Sequence, residues 1–378
     1  MKKVIFAGLL LGAAMTLQAQ VTIGGSVDMT IVPFQLVQEE DEDPTFGAGI
    51  GGVFNTGGPR IRLDARAVNA DHRIGMRLRV QAQAPTQGGP SFGGENFLQA
   101  WWSPLEWLRL DAGRFDDDRL RGRIGVDEMG LFTNIMFTQD AIFSRLRVRN
   151  GFMLSATPVE GLLLAAALRE LVTFETDTTG PGNVNIVNNR EASGNPWRNV
   201  TFALGYTIPD IGAIRVQYIG DVPPAGTPGI TRNNDVELAF ALTAIDGLLL
   251  DLGGKVHFVN AEDNPNFGAS LGVRFRTGAL ELIGRVDSQI SGNDAPLRLN
   301  AHLWPSFQMD ATRVILNFGL DFVEGQGSDD ANIEMGAGIS LQRNFVGSTR
   351  VRGGVAFAFP TDNRPMVITL PLFLEYSF

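Results

Sequence analysis

The stretch RIRLDARAVNADHRIGMRLRVQAQ, residues 60–83, decides the fold of this chain. Apolar and polar residues alternate on both sides of the five-residue segment 69–73. A period of two places apolar side chains on one face of a β-strand and polar side chains on the other. The apolar positions are Ile61, Leu63, Ala65 and Ala67, followed by Ile74, Met76, Leu78, Val80 and Ala82. We therefore predict an antiparallel hairpin with one apolar face and one polar face.

The same pattern continues along the chain. Runs of about eight to thirteen alternating residues end at Gly, Pro, Asn or Asp, which is typical of half-buried strands joined by turns. The clearest run is 313–324, where Val314 and Leu316 lie opposite Asn317. Runs of this kind predict an all-β protein of about 18 strands, or about 16 if two weak runs merge.

Connection lengths distinguish two architectures that alternation leaves open, a soluble sandwich and a membrane barrel. Short connections are expected near residues 69, 103, 158, 209, 246, 278 and 310. Long ones are expected at 38–58, 85–94, 116–145, 171–197 and 222–234. Outer-membrane barrels have tight turns at one end and long loops at the other. We predict a transmembrane antiparallel up-and-down β-barrel, with a soluble β-protein as the alternative.

The N-terminus has the layout of a secretory signal peptide. Lys2 and Lys3 precede the apolar run 4–15 and the polar segment 16–20. We expect cleavage after Ala19, so that residues 1–19 are the signal peptide and residues 20–378 form the barrel. The sequence has no cysteine, which excludes a disulfide framework and a lipid-modified cysteine. No later apolar run approaches the roughly 20 residues that a membrane-spanning helix needs.

Composition argues against several classes of partner and site. The net charge of −10 disfavours nucleic acid. The histidines His72, His257 and His302 lie in separate segments without the spacing of metal ligands. The acidic run near Glu39 lacks the spacing of a calcium loop. We predict no metal, no cofactor, no catalytic residue and no enzymatic activity.

Residues 116–145, DDDRLRGRIGVDEMGLFTNIMFTQDAIFSR, fit no strand. By our count they join the fifth and sixth strands and form the third long loop. We predict that this loop folds into the barrel and forms a constriction. Its apolar residues would contact the inner wall: Leu131, Phe132, Ile135, Met136 and Phe137. Its acidic residues would face water: Asp116, Asp117, Asp118, Asp127 and Glu128.

Alternation also predicts a basic wall facing this loop. Its members are Arg62, Arg66, Arg77, Arg79, Arg109, Arg147 and Arg149. Charge at the narrowest section sets the selectivity of a channel. The alternative is that these arginines pair with nearby acids such as Asp64 and Asp111. The loop also contains Arg119, Arg121 and Arg123, so the sequence leaves the ion preference open.

Tryptophans mark one further expected feature. Trp101, Trp102 and Trp107 flank the short connection near Pro104, where an aromatic girdle at a membrane interface would lie. The alternative is that they are ordinary core aromatics. Trp304 is expected on the inward face.

The last strand, VITLPLFLEYSF at 367–378, alternates and ends on an aromatic residue. It resembles the final strand of the outer-membrane β-barrel family. That resemblance implies that Leu374, Tyr376 and Phe378 form the signal read by the barrel-assembly machinery. Pro371 departs from the pattern, because it requires a bulge or an unpaired position there.

The position of the third long loop is similar to that of the general porins of Gram-negative outer membranes. A barrel of 16 to 18 strands is wide enough for an aqueous channel. The resemblance implies a homotrimer in outer-membrane lipid, with a water-filled channel for passive diffusion of small hydrophilic solutes and ions. Alternatives are a substrate-selective channel, for example for sugars, a surface-exposed adhesin, or a barrel enzyme. The enzyme would need a Ser and a His on the lipid-facing surface, whereas His257 and His302 fall on polar faces.

Overall fold

The computed structural model describes residues 20–39, 42–50, 59–83, 91–92, 97–117, 146–168, 173–176, 184–187, 200–220, 233–259, 265–290, 297–325, 331–345, 348–360 and 365–378. All regular secondary structure in these residues is β-strand. The first eleven strands are β1 (Gln20–Gln38), β2 (Thr45–Ile50), β3 (Arg60–Val68), β4 (Ile74–Gln83), β5 (Ser91–Phe92), β6 (Phe97–Leu105), β7 (Leu108–Asp117), β8 (Leu146–Ala156), β9 (Leu162–Leu168), β10 (Thr173–Thr176) and β11 (Val184–Val187). The others are β12 (Val200–Ile208), β13 (Gly212–Gly220), β14 (Asn233–Leu242), β15 (Leu248–Val259), β16 (Asn266–Thr277), β17 (Leu280–Ile290), β18 (Arg298–Met309), β19 (Thr312–Val323), β20 (Asn332–Phe345), β21 (Thr349–Pro360) and β22 (Met366–Ser377).

The strands form one closed antiparallel barrel of 18 strands. Consecutive long strands pair with each other, β9 pairs with β12, and β22 pairs with β1 to close the ring. The short strands β2 and β5 extend the sheet beside β1 and β4, and β10 and β11 form a separate hairpin. The prediction of about 18 strands is confirmed, and the smaller count of 16 is wrong.

The two faces of the barrel have opposite character. Apolar side chains on the outer surface are exposed; Ile61, Leu63 and Leu98 each expose about half of their surface. Polar side chains such as Gln217 and Glu237 point inward and are buried. A soluble sandwich would instead bury its apolar faces, so the soluble alternative does not describe this chain. An apolar exterior around a polar interior suits surrounding lipid.

The barrel has a short-turn end and a long-loop end. At the short-turn end the connections are tight, and His72, Asp210 and Asp310 adopt positive φ angles there. The long-loop end carries the connection between β7 and β8, the fifth and sixth strands of the ring, as predicted. The prediction that residues 116–145 fit no strand is wrong for Asp116 and Asp117, which belong to β7, so the connection is 118–145. Residues 118–145 themselves lie outside the described part of the chain.

Barrel closure accommodates the proline of the last strand. Because Pro371 has no N–H, the ladder between β1 and β22 cannot be regular there. The pairing register shifts between Ile31 and Phe34, opposite this proline, so the expected bulge is confirmed. The extra residue lies on β1, where Pro33 also lacks an N–H. Beyond it, Phe378 and Gly25 exchange two backbone hydrogen bonds of 2.9 and 3.0 Å. A Cβ atom at Gly25 would lie 2.7 Å from the Phe378 ring, so the terminal aromatic side chain is seated on a glycine.

A second register shift interrupts the pairing of β7 with β8. It lies between Gly113 and Phe115, and Gly113 has φ +118°, which favours glycine. Beyond the shift, Phe115 pairs with Val148, and Leu146 pairs with Asp117. Phe115, Leu146 and Val148 belong to a cluster of buried apolar residues on the inner wall, each about 1% exposed. We call this cluster, completed by Met153, Ala165, Ala167 and Ala203, the apolar wall patch.

Candidate functional site in the barrel lumen

A cavity of about 770 Å³ lies against the inner wall formed by β1, β3, β4, β6 and β7. Four of the predicted wall arginines line it: Arg62, Arg66, Arg77 and Arg109. Asp64, Asp111, Asp116 and Asp117 also line it, together with Gln99 and Trp101. We call this group the arginine wall.

Strand register brings the arginine wall together. Paired residues on neighbouring antiparallel strands point to the same face. Arg66 pairs with Arg77, and Asp64 pairs with Arg79. On the next pair of strands, Gly75 of β4 pairs with Trp101 of β6. The period-two pattern of residues 60–83 therefore becomes one continuous polar surface.

Asp64 accepts hydrogen bonds from two of these arginines. Arg77 donates from Nε at 2.8 Å to Oδ1 and from Nη2 at 2.5 Å to Oδ2. Arg79 donates from Nε at 2.9 Å to Oδ2. One carboxylate thus holds two guanidinium groups in fixed orientations on the inner wall.

Asp111 compensates Arg109 more fully. The Asp111 side chain is completely buried and accepts hydrogen bonds from Arg109 Nε at 2.9 Å and Arg109 Nη2 at 2.6 Å. Gln99 Nε2 donates a further bond of 2.8 Å. The alternative that wall arginines pair with Asp64 and Asp111 is therefore correct for Arg77, Arg79 and Arg109. Charge-assisted, bidentate pairs of this kind also fix the orientation of the guanidinium group.

Trp101 is the main residue of the site that the sequence interpretation missed. It points inward and is 5% exposed, whereas Trp102 and Trp107 are 53% and 45% exposed. The girdle interpretation is therefore wrong for Trp101. The alternation of β6 could have shown this, because Phe97, Gln99 and Trp101 lie on one face of the strand. The interpretation instead gave one role to all three tryptophans because they lie near the same turn.

The wall across the lumen has its own ion pairs. Lys255 Nζ lies 2.6 Å from Asp235 Oδ2 and 3.8 Å from Glu237 Oε1. His257 also contacts Asp235. Trp304 is inward and 5% exposed, as predicted, and stacks on His302 with ring centroids 4.5 Å apart.

A basic cluster borders the lumen at the short-turn end. Glu281 contacts Arg276 at 2.5 Å, Arg274 at 3.8 Å and Arg313. Three guanidinium groups therefore lie around this one carboxylate. No motif near residue 281 predicted it, because the three arginines come from two hairpins that only the barrel brings together.

The acidic residues predicted for the constriction separate into two groups. Asp116 and Asp117 lie at the long-loop end of β7 and line the same cavity as the arginines. Arg109 and Asp117 lie eight residues apart, or about 26 Å along an extended strand, so they are near opposite ends of β7. Asp118, Asp127 and Glu128 lie outside the described residues. The side chains of Arg147 and Arg149 are also outside them, although the backbone of Arg147 pairs with Asp116.

Among the described residues, no group of His, Cys, Asp and Glu side chains could hold a metal ion. No helix in this part of the chain is long and apolar enough to cross a membrane. The absence of a metal, a cofactor and an enzymatic activity stays a prediction.

No protein-family model matches the chain, and no curated protein sequence matches it. Solved structures match over almost its full length. A BenF-like porin from Pseudomonas fluorescens Pf-5 is 10% identical with a TM-score of 0.56, covering 95% of this chain and 98% of that chain. An anion-selective porin from Comamonas acidovorans is 13% identical with a TM-score of 0.54, covering 95% and 100%. Pseudomonas aeruginosa OccK2 (OpdF) in complex with glucuronate is 13% identical with a TM-score of 0.55, covering 94% and 98%.

Because the sequence identities are this low, the matches establish a shared fold and nothing further. The shared feature is the closed antiparallel barrel. This chain has the fold of Gram-negative outer-membrane porins.

Proposed function

We propose that this protein is an outer-membrane porin that forms a water-filled channel for passive diffusion of small hydrophilic solutes and ions. The observation that carries the proposal is an 18-stranded closed barrel whose inner wall is charged and whose outer wall is apolar. Barrels of about 16 to 18 strands leave room for water, whereas those of about eight strands are filled by side chains.

A solute-uptake assay tests this function directly. Liposomes containing the purified, folded protein should swell when placed in isotonic solutions of small neutral sugars, and the rate should fall as sugar size increases. Liposomes with heat-denatured protein are the matched control. Swelling no faster than the control would contradict the channel function.

Topology follows from the same proposal. Residues 1–19 would direct export and be removed near Ala19, leaving residues 20–378 as the barrel. The long-loop end would face outward and the short-turn end would face the periplasm, as in other outer-membrane barrels. The barrel-assembly machinery would recognise Leu374, Tyr376 and Phe378, and the position of Phe378 beside Gly25 supports a role in closure.

We further propose that residues 116–145 narrow the lumen. The apolar wall patch supports this role, because Phe115, Leu146 and Val148 are almost fully buried on a face that would otherwise meet water. The segment 116–145 is continuous with two of these strands and contains large apolar residues that match the patch. Asp116, Asp117, Asp118, Asp127 and Glu128 would then face Arg62, Arg66, Arg77 and Arg109, with Arg147 and Arg149 at the border of the arginine wall.

A substrate-selective channel is the second candidate, and the arginine wall favours it. The cavity is lined by four arginines and four aspartates, and its arginines could bind the carboxylate or phosphate of a solute. One structural neighbour is a complex with glucuronate, and another is described as anion-selective. Faster uptake of a sugar acid than of a neutral sugar of equal size would support this candidate over simple diffusion.

The remaining alternatives have less support. His257 contacts Asp235, and His302 stacks on Trp304 on the inner wall, which is not where a lipid-cleaving site would lie. A surface-exposed adhesin would depend on long loops outside the described residues. A homotrimer is proposed from the resemblance to porins, and chemical crosslinking of the detergent-solubilised protein would test it.

A further inference from the structure

Two arginines flank the indole ring of Trp101 on the inner wall. The Cζ atom of Arg66 lies 5.2 Å from the ring centroid, and the Cζ atom of Arg109 lies 4.8 Å from it. Both distances are within the range of a cation–π interaction, for which tryptophan is the best aromatic partner. The ring is only 5% exposed, so it contacts these two guanidinium groups and presents little surface to a permeating solute.

A glycine on the neighbouring strand makes this position possible. Gly75 pairs directly with Trp101. A Cβ atom at Gly75 would lie 2.1 Å from the Cζ2 atom of Trp101, which is far inside van der Waals contact. The ring therefore lies flat against the backbone of β4, and any larger residue at position 75 would displace it.

The two arginines differ in their other contacts. Arg109 is fixed by its paired hydrogen bonds with Asp111. Arg66 is exposed to the lumen; its guanidinium group lies over the Trp101 ring and makes no hydrogen bond or ion pair with another described residue. Its charge is therefore compensated by no carboxylate there. Without the ring, the flexible Arg66 side chain would be free to approach Asp64, two residues away on the same face of β3.

We infer that Trp101 is a positioning residue that holds Arg66 in the path of permeating anions, so that this pair sets the anion preference of the lumen. The inference rests on the proposed channel function. A cation–π interaction at a partly exposed site changes the occupancy of the guanidinium position by about two- to five-fold. Replacing the neutral residue Trp101 should therefore change ion selectivity although the charge of the protein stays the same.

The test is a double-mutant cycle on the reversal potential of the full-length mature protein in planar bilayers under a KCl gradient. Arg66→Gln should lower the chloride-to-potassium permeability ratio by roughly 1.5- to 4-fold at about 0.1 M salt. Trp101→Leu should lower it in the same direction, by up to the same factor. In the Arg66→Gln background, Trp101→Leu should have no further effect, because the two residues act as one unit.

Two further variants separate positioning from a general packing defect. Trp101→Phe keeps an aromatic face and should retain most of the wild-type ratio. Trp102→Leu, at the adjacent outward-facing position, should leave the ratio unchanged. If Trp101→Leu does not fold, Gly75→Ala displaces the ring by another route and should lower the ratio in the same way.

Each result is decisive. A lower ratio in Arg66→Gln with no change in folded Trp101→Leu would overturn the positioning role, as would additive effects of the two substitutions. An unchanged ratio in Arg66→Gln would overturn the anion role of Arg66. If the folded wild-type protein conducts no ions, that result contradicts the proposed channel function, and the inference, which rests on it, is overturned as well.

Discussion

Replacing Asp64 by Asn should make the lumen more favourable to anions. Asp64 is the carboxylate shared by Arg77 and Arg79, and its side chain is 24% exposed. The substitution keeps the shape of the side chain and removes one negative charge from the arginine wall. Because both arginines remain, the local charge becomes more positive by one unit.

The size of the effect follows from Coulomb's law. One unit charge about 10 Å from a permeating ion contributes about 0.4 kcal/mol in water, which is about a two-fold change for each ion. The substitution stabilises an anion in the lumen and destabilises a cation by this amount, so the anion-to-cation permeability ratio rises by about four-fold without screening. At about 0.1 M salt the Debye length is about 10 Å, which reduces the change to about 1.5-fold. At about 1 M salt it should disappear.

The assay is the reversal potential of single channels under a KCl gradient, measured near 0.1 M and again near 1 M. Asp246→Asn makes the same chemical change on an exposed short turn outside the lumen and serves as the control. A shift of Asp64→Asn toward potassium, or a shift of equal size in the Asp246→Asn control, would refute the reasoning.

Three other predictions concern the pore, the closure of the barrel and export. Deleting part of residues 120–137 should raise single-channel conductance, because the segment is proposed to occupy the lumen; unchanged conductance would remove its constriction role. Gly25→Val should lower the yield of heat-modifiable folded barrel on gels, since a Cβ atom would meet the Phe378 ring at 2.7 Å and the Arg62 carbonyl oxygen at 2.5 Å. Gly47→Val, whose Cβ would have no atom within 4 Å, is its control, and equal yields would contradict the closure argument. N-terminal sequencing of the exported protein should begin at Gln20, and a protein that retains Lys2 and Lys3 would contradict cleavage near Ala19.

The fold was predictable because a period of two is a physical constraint on every strand. In β3 and β4, alternation alone placed Arg62, Arg66 and Arg77 on the inward face, where the structure has them. It also identified Pro371 as the position where the ladder must be irregular, and the register shifts there. Such inferences work because each residue's face depends only on its parity within a strand.

Parity fails where a bulge inserts an extra residue. The shift between β7 and β8 reassigns the faces beyond Gly113 and gives inward positions to Leu146 and Val148. Alternation does not predict these inward apolar residues; it favours Arg147 and Arg149 for the lumen, and their side chains lie outside the described residues. The cluster around Glu281 was not predictable for another reason, since ion pairs between hairpins depend on register as well as on strand faces. Trp101 could have been placed by parity, but its cation–π contacts depend on the absence of a side chain at Gly75.

The most direct test of the central claim is the single-channel current of the refolded mature protein in a planar bilayer. An open, water-filled barrel predicts discrete conductance steps that scale with salt concentration. The absence of steps, from protein shown to be a folded barrel by its β-sheet circular dichroism and heat-modifiable migration, would contradict the claim that this lumen conducts.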